Sequence, residues 1–126
     1  MKKKIIYSDK APAAIGPYSQ AIKSGNMLFT SGQIPLDPRS GQVAEGGIQG
    51  QTRQALENLR EVLASGGASL ENVVKTTCFL DDMNDFPQFN EVYQEFFKKD
   101  PPARSCLAVD RLPKDVLVEV EAIAVL

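Results

Sequence analysis

Histidine is absent from these 126 residues, and so is tryptophan. Without an imidazole there is no Ser-His-Asp or Cys-His nucleophile system and no imidazole metal ligand. Cysteine is scarce: Cys78 and Cys106 lie far apart and form no CxxC redox or zinc pattern. Phosphate-cradling glycine loops are missing too, since Gly46-Gly47 and Gly66-Gly67 suit turns. No apolar run approaches transmembrane length. Lys2, Lys3 and Lys4 are followed by only Ile5, Ile6 and Tyr7, too little for the core of a secretory signal, so the expected address is cytoplasmic. The net charge of −2 gives no broad attraction to nucleic acid or an anionic membrane, and neither is an expected partner. Any catalysis must use carboxylates, Arg, Lys, Tyr, hydroxyls, thiols, backbone groups and water. No cofactor and no metal is the simplest expectation.

What is present fits one compact domain over residues 1–126, with 43% hydrophobic and 24% charged residues. A short strand comes first, then a non-regular stretch at 11–17 broken by Pro12, Gly16 and Pro17. Residues 18–23 and 27–31 read as hairpin strands, and 33–47 as a long loop of the kind that borders binding sites. Ile48, Thr52, Ala55, Leu56, Leu59, Val62 and Leu63 make the buried stripe of a helix that Gly66-Gly67 stops. After a strand at 73–80, a second helix from about 84 to 98 carries Phe86, Phe89, Tyr93, Phe96 and Phe97, with Asn84 as its expected cap. The predicted order β-β-β-α-β-α-β-β is an α+β sandwich: a mixed sheet of about six strands with two helices on one face.

The last two strands hold the chemistry. Alternation puts Arg104 and Cys106 on one side of the first, and Glu119 and Glu121 on one side of the second, opposite Val116, Val118 and Val120. Folded as a hairpin about residues 110–115, the pair sets Cys106 roughly opposite Glu119 and Arg104 opposite Glu121, with all four on one face. That face also carries Leu117 and Ile123, so it either lines a cavity or meets another subunit, and a homo-oligomer is expected.

Each candidate has a plain alternative. Arg104 is either a surface ion-pair partner or a planar fork for a substrate carboxylate. Glu119 either pairs with that arginine or moves protons to and from water; it is preferred to Glu121 for this role. Cys106 lacks a base to activate it and reads better as a small side chain whose backbone matters. Cys78 reads as core. Tyr18 either walls a pocket or packs in a hairpin. Asn90, on the helix stripe, must find a hydrogen-bond partner if buried. Ser31 and Gly32 end a strand, where a hydroxyl and an amide face either a site or an ordinary turn.

Seven segments then carry a resemblance. They are Ala-Pro-Ala-Ala-Ile-Gly-Pro-Tyr-Ser-Gln at 11–20, Thr-Ser-Gly-Gln-Ile-Pro at 30–35, Val-Lys-Thr-Thr at 74–77 and Phe-Asn-Glu-Val-Tyr at 89–93. Pro-Ala-Arg-Ser-Cys at 102–106, Arg-Leu-Pro-Lys-Asp at 111–115 and Glu-Val-Glu-Ala-Ile-Ala at 119–124 complete the set. In order and together they resemble the reactive-intermediate deaminase (RidA/YjgF/YER057c/UK114) family. The resemblance implies chorismate-mutase-like subunits in a homotrimer with clefts between subunits. It implies cofactor-free hydrolysis of enamines and imines such as 2-aminoacrylate to 2-keto acids and ammonia, protecting pyridoxal-phosphate enzymes. Carried over, Arg104 binds the substrate carboxylate and Glu119 orients or activates water. Tyr18, Ser31, Gly32 and Asn90 shape the pocket, and Cys106 contributes through its backbone. Other relatives are described as ribonucleases or translation inhibitors, or as ligand-binding regulatory modules.

Overall fold

The eight-residue alternation of residues 118–125 organises the sheet. In the computed structural model, which describes residues 2–126, the elements are β1 (Lys3–Ile6), β2 (Ala21–Ser24), β3 (Met27–Thr30), α1 (Gly47–Ser65), β4 (Val73–Leu80), α2 (Phe86–Phe96), β5 (Ala103–Ala108) and β6 (Val118–Val125). They build one six-stranded sheet in the order β1-β2-β3-β6-β4-β5, covered on one face by α1 and α2. The expected α+β sandwich is therefore present. β6 alternates buried and half-buried along its whole length, which suits a strand flanked on both sides.

The crossovers place the strands. β3-α1-β4 leaves a vacant lane between its two strands, and β6 fills it antiparallel to both. β4-α2-β5 is a parallel unit that leaves β5 on the sheet edge. The expected terminal hairpin does not form. β4 lies between β5 and β6, so Cys106 partners Cys78 and Arg104 partners Thr76, while Glu119 partners Phe79 and Glu121 partners Thr77. Residues 109–117 are long enough to step over one strand, and β6 enters the lane between β3 and β4, where both of its edges are paired.

The core lies between sheet and helices. Leu56, Leu59, Val62 and Leu63 of α1 meet Leu28, Leu80, Val118 and Val120, all fully buried. At about 1.5–3 kcal/mol for each large aliphatic side chain, this seam is the main source of stability. The loop after β3 is held down by Asn58, whose amide donates to the carbonyls of Ile34 (3.0 Å) and Leu36 (2.9 Å). α2 begins two residues later than expected. Asn84 lies in a preceding 3-10 turn (Met83–Asp85) capped by the Asp82 side chain, which accepts from the Asn84 amide.

Candidate active site

The helical period of α2 aligns Phe86, Phe89, Asn90, Tyr93 and Phe97 over β4 and β5. Arg104 points to this side of the sheet and is half-buried beneath them. Its Nη1 donates to Asn90 Oδ1 at 2.8 Å. Its guanidinium carbon lies 4.8 Å from the Tyr93 ring centroid, 5.3 Å from that of Phe86 and 5.9 Å from that of Phe89. Aromatic faces attract a cation but do not neutralise it. Among the described residues the ion pairs are Arg53–Glu95 and Arg111–Asp115, so Arg104 has no carboxylate partner. A cavity of about 330 Å³ opens beside it, walled by Asn90, Tyr93, Phe97, Pro101 and Pro102. As the outer strand, β5 also leaves half of its backbone donors and acceptors free of strand pairing.

Cys106 shares the Arg104 side of β5 and sits next to Cys78. Burial pushes the Cys78 thiol up to about 12, and burial also raises Cys106, with Arg104 pulling the other way. Both thiols stay protonated at neutral pH. Tyr93 is buried and its hydroxyl lies 2.7 Å from Thr76 Oγ1, itself fully buried. Burial raises the Tyr93 phenol as well, so it remains neutral.

Glu119 stands on the other face of the sheet. After β3 the chain bridges back to β6 through Gln33, which exchanges backbone bonds with Val120 at 2.8 and 3.1 Å. That bridge brings Gly32 against the Glu119 carboxyl. A Cβ at position 32 would overlap Oε2 and lie 2.7 Å from the carboxyl carbon. Glycine matters here for close approach, not for its dihedral range, since any larger residue would push the Glu119 carboxyl from this position. Half-burial holds the Glu119 carboxyl above the usual range, and Glu121 two residues on pushes it the same way. The Ser31 hydroxyl donates to the Ser19 carbonyl at 2.6 Å, tying this corner to the segment that carries Tyr18. Tyr18 is half-exposed, accepts from the Ile15 amide at 3.2 Å and shares a small hollow with Gly32.

The named residues thus form two groups. Asn90, Arg104 and Cys106 lie on the helix side near the sheet edge. Tyr18, Ser31, Gly32 and Glu119 lie at the β3 end on the open side. The expected single face holding Arg104, Cys106, Glu119 and Glu121 is corrected. Parity within each strand is as read, but with β4 between them β5 and β6 present these residues to opposite sides. Phe86, Phe89 and Tyr93, which read from the sequence only as the apolar stripe of the second helix, make the cage around Arg104, and Thr76 binds the Tyr93 hydroxyl. The aromatic spacing on α2 was the available signal. Among the described residues no three His, Cys, Asp or Glu side chains cluster as metal ligands would. No helix there is long and apolar enough to cross a membrane.

Comparison with known proteins agrees with this architecture. The family model described as Endoribonuclease L-PSP matches residues 8–126. A RutC family protein of Pyrococcus horikoshii is 56% identical over 122 residues, 97% of each chain. A Salmonella typhimurium protein named 2-iminobutanoate/2-iminopropanoate deaminase is 50% identical over 125 residues, again 97% of each. The crystal structure of the YjgF gene product from Escherichia coli superposes with a TM-score of 0.93 at 47% identity, covering 97% of this chain and 98% of that one. With matches of this extent and the chorismate-mutase-like fold in common, the chain belongs to the Endoribonuclease L-PSP family, the RidA/YjgF group.

Proposed function

We propose that this protein hydrolyses 2-imino acids, and the enamines that tautomerise to them, to 2-keto acids and ammonia in clefts formed between identical subunits. The observation that carries the reading is Arg104: a half-buried cation, fixed by Asn90 and three aromatic rings, with no carboxylate of its own chain. A planar guanidinium in that state suits a substrate carboxylate. The relative named as an imine deaminase supports the choice of substrate.

An imine carbon is already electrophilic, so the residues need only position and move protons. Water adds to the carbon and the imine nitrogen takes up a proton. The carbinolamine then loses ammonia as its hydroxyl proton leaves and the carbonyl forms. Glu119, whose carboxyl keeps its proton to higher pH than an ordinary glutamate, is suited to exchange protons in both steps. Arg104 and Glu119 face opposite sides of one sheet, so the two can meet only across a contact between copies. Exposed Ile5, Phe29 and Leu107 around Glu119 and Glu121 favour such a contact, in a homotrimer. The negative net charge and the absence of a basic stripe disfavour RNA as substrate.

The test mixes two impaired variants. Arg104→Ala and Glu119→Gln should each lose most of the acceleration of ammonia release in an assay coupled to a dehydratase that generates 2-aminoacrylate. Co-refolded, they regain activity, because some clefts then pair an intact Arg104 with an intact Glu119. No recovery on mixing, or a parent that sediments at its monomer mass of 13.7 kDa while active, overturns the reading.

A further inference from the structure

We infer that Tyr93, tethered by Thr76, is a positioning residue that sets the plane of the Arg104 guanidinium for carboxylate binding. This rests on the carboxylate-binding role proposed for Arg104 and adds what holds that group in register.

An arginine side chain has four rotatable bonds, and one hydrogen bond leaves its planar head free to turn about the bonded atom. In this structure the Nη1–Asn90 bond of 2.8 Å anchors one corner. The second constraint is the Tyr93 ring, which is the nearest of the three rings at 4.8 Å. A guanidinium that swings away from the ring face loses part of that attraction, so the anchored corner and the ring together restrict how the head can turn. The ring is itself held. Phe89 and Phe97 pack against it with centroids 5.5 and 4.7 Å away, and its hydroxyl is bound to Thr76 Oγ1 at 2.7 Å.

Thr76 adds the link to the sheet. It is the strand partner of Arg104, so the residue that bears the guanidinium and the residue that tethers its platform are neighbours in the ladder. A movement of β5 against β4 would shift both ends together. Thr76 is fully buried among apolar groups, where a hydroxyl without a partner is costly. Its partners are the Tyr93 hydroxyl and, weakly, the Cys78 thiol at 3.8 Å. A valine of equal size would fill the same space, so the hydroxyl is there for the tether.

The experiment measures affinity for 2-oxobutanoate by calorimetry on the assembled protein, alongside the Arg104 Nε–Hε resonance and the melting temperature. Tyr93→Leu removes the platform and should weaken binding by about 3- to 30-fold, the range of a partly desolvated cation–ring contact. Tyr93→Phe and Thr76→Val keep the ring and cut only the tether. Both should raise KM more than they lower kcat and broaden the Arg104 resonance, with Tyr93→Phe the milder. In an Arg104→Ala background none of the three should change affinity further. If Arg104→Ala itself leaves 2-oxobutanoate affinity at the parent value, the role of Arg104 is refuted and the inference falls with it. If Arg104→Ala abolishes binding but Thr76→Val and Tyr93→Phe match the parent in affinity and in the Arg104 resonance, only the positioning role is refuted. Variants that lower the melting temperature yet leave the KM to kcat balance intact would show Tyr93 and Thr76 to be packing residues alone, and would also refute it.

Discussion

The two faces of the sheet are finished differently. On the helix side Leu56, Leu59, Leu63, Leu80, Val118 and Val120 are fully buried, and the Arg104 cation there lies against three aromatic rings. On the open side Ile5 remains 64% exposed, Phe29 40% and Leu107 41%, among the half-buried carboxylates Glu119 and Glu121. One face is covered by helices of the same chain and the other is left open. The contrast extends to the charges: Arg104 of β5 lies against three aromatic rings of α2, whereas Glu119 is half-buried with its carboxyl close against Gly32.

If the open face holds the proton-transfer group, Glu119→Gln should lower turnover by about 10²–10⁴-fold while 2-oxobutanoate still binds, and Glu121→Gln should be much milder. Steady-state rates for both variants check this, and the reverse ranking would assign the cleft to Glu121. Next in size is the helix side. Leu59→Ala should cost about 2–5 kcal/mol in urea unfolding, because its site is closed on every side. Leu107→Ser, on the open face, should instead leave the subunit folded and lower the sedimenting mass.

Gly32→Ala tests the meeting of loop and carboxylate. The added methyl must displace Glu119, and a shift of about 1 Å can lower turnover by about 10²-fold, visible in kcat with little change in melting temperature.

The smallest effect concerns pH. Burial and Glu121 raise the folded Glu119 carboxyl above its unfolded value, so the folded state holds that proton longer. The stability involved is whole below the ordinary glutamate range and is lost as pH rises through the raised value. Glu119→Gln cannot ionise. It should therefore melt higher than the parent near about pH 7 and show a smaller gain near about pH 4, as calorimetry at the two pH values would report.

Residue period alone determined a good deal. The stripe from Ile48 to Leu63 specifies α1, and the aromatic stripe specifies α2. The alternation of residues 118–125 puts Glu119, Glu121 and Ile123 opposite the valines, because a strand has only two sides. The exclusion of imidazole chemistry needed nothing beyond the absence of histidine. Strand neighbours were a different matter. Adjacent strands in a chain usually pair, but which lane β6 enters depends on the gap that β3-α1-β4 leaves, and no local pattern encodes that gap. Only the tertiary structure could therefore part Arg104 from Glu119, seat Arg104 over Tyr93 and bring Gly32 under a carboxylate far along the chain. Side-chain period is a property of consecutive residues, whereas lane order is settled by which packing buries the most apolar surface across the whole sheet.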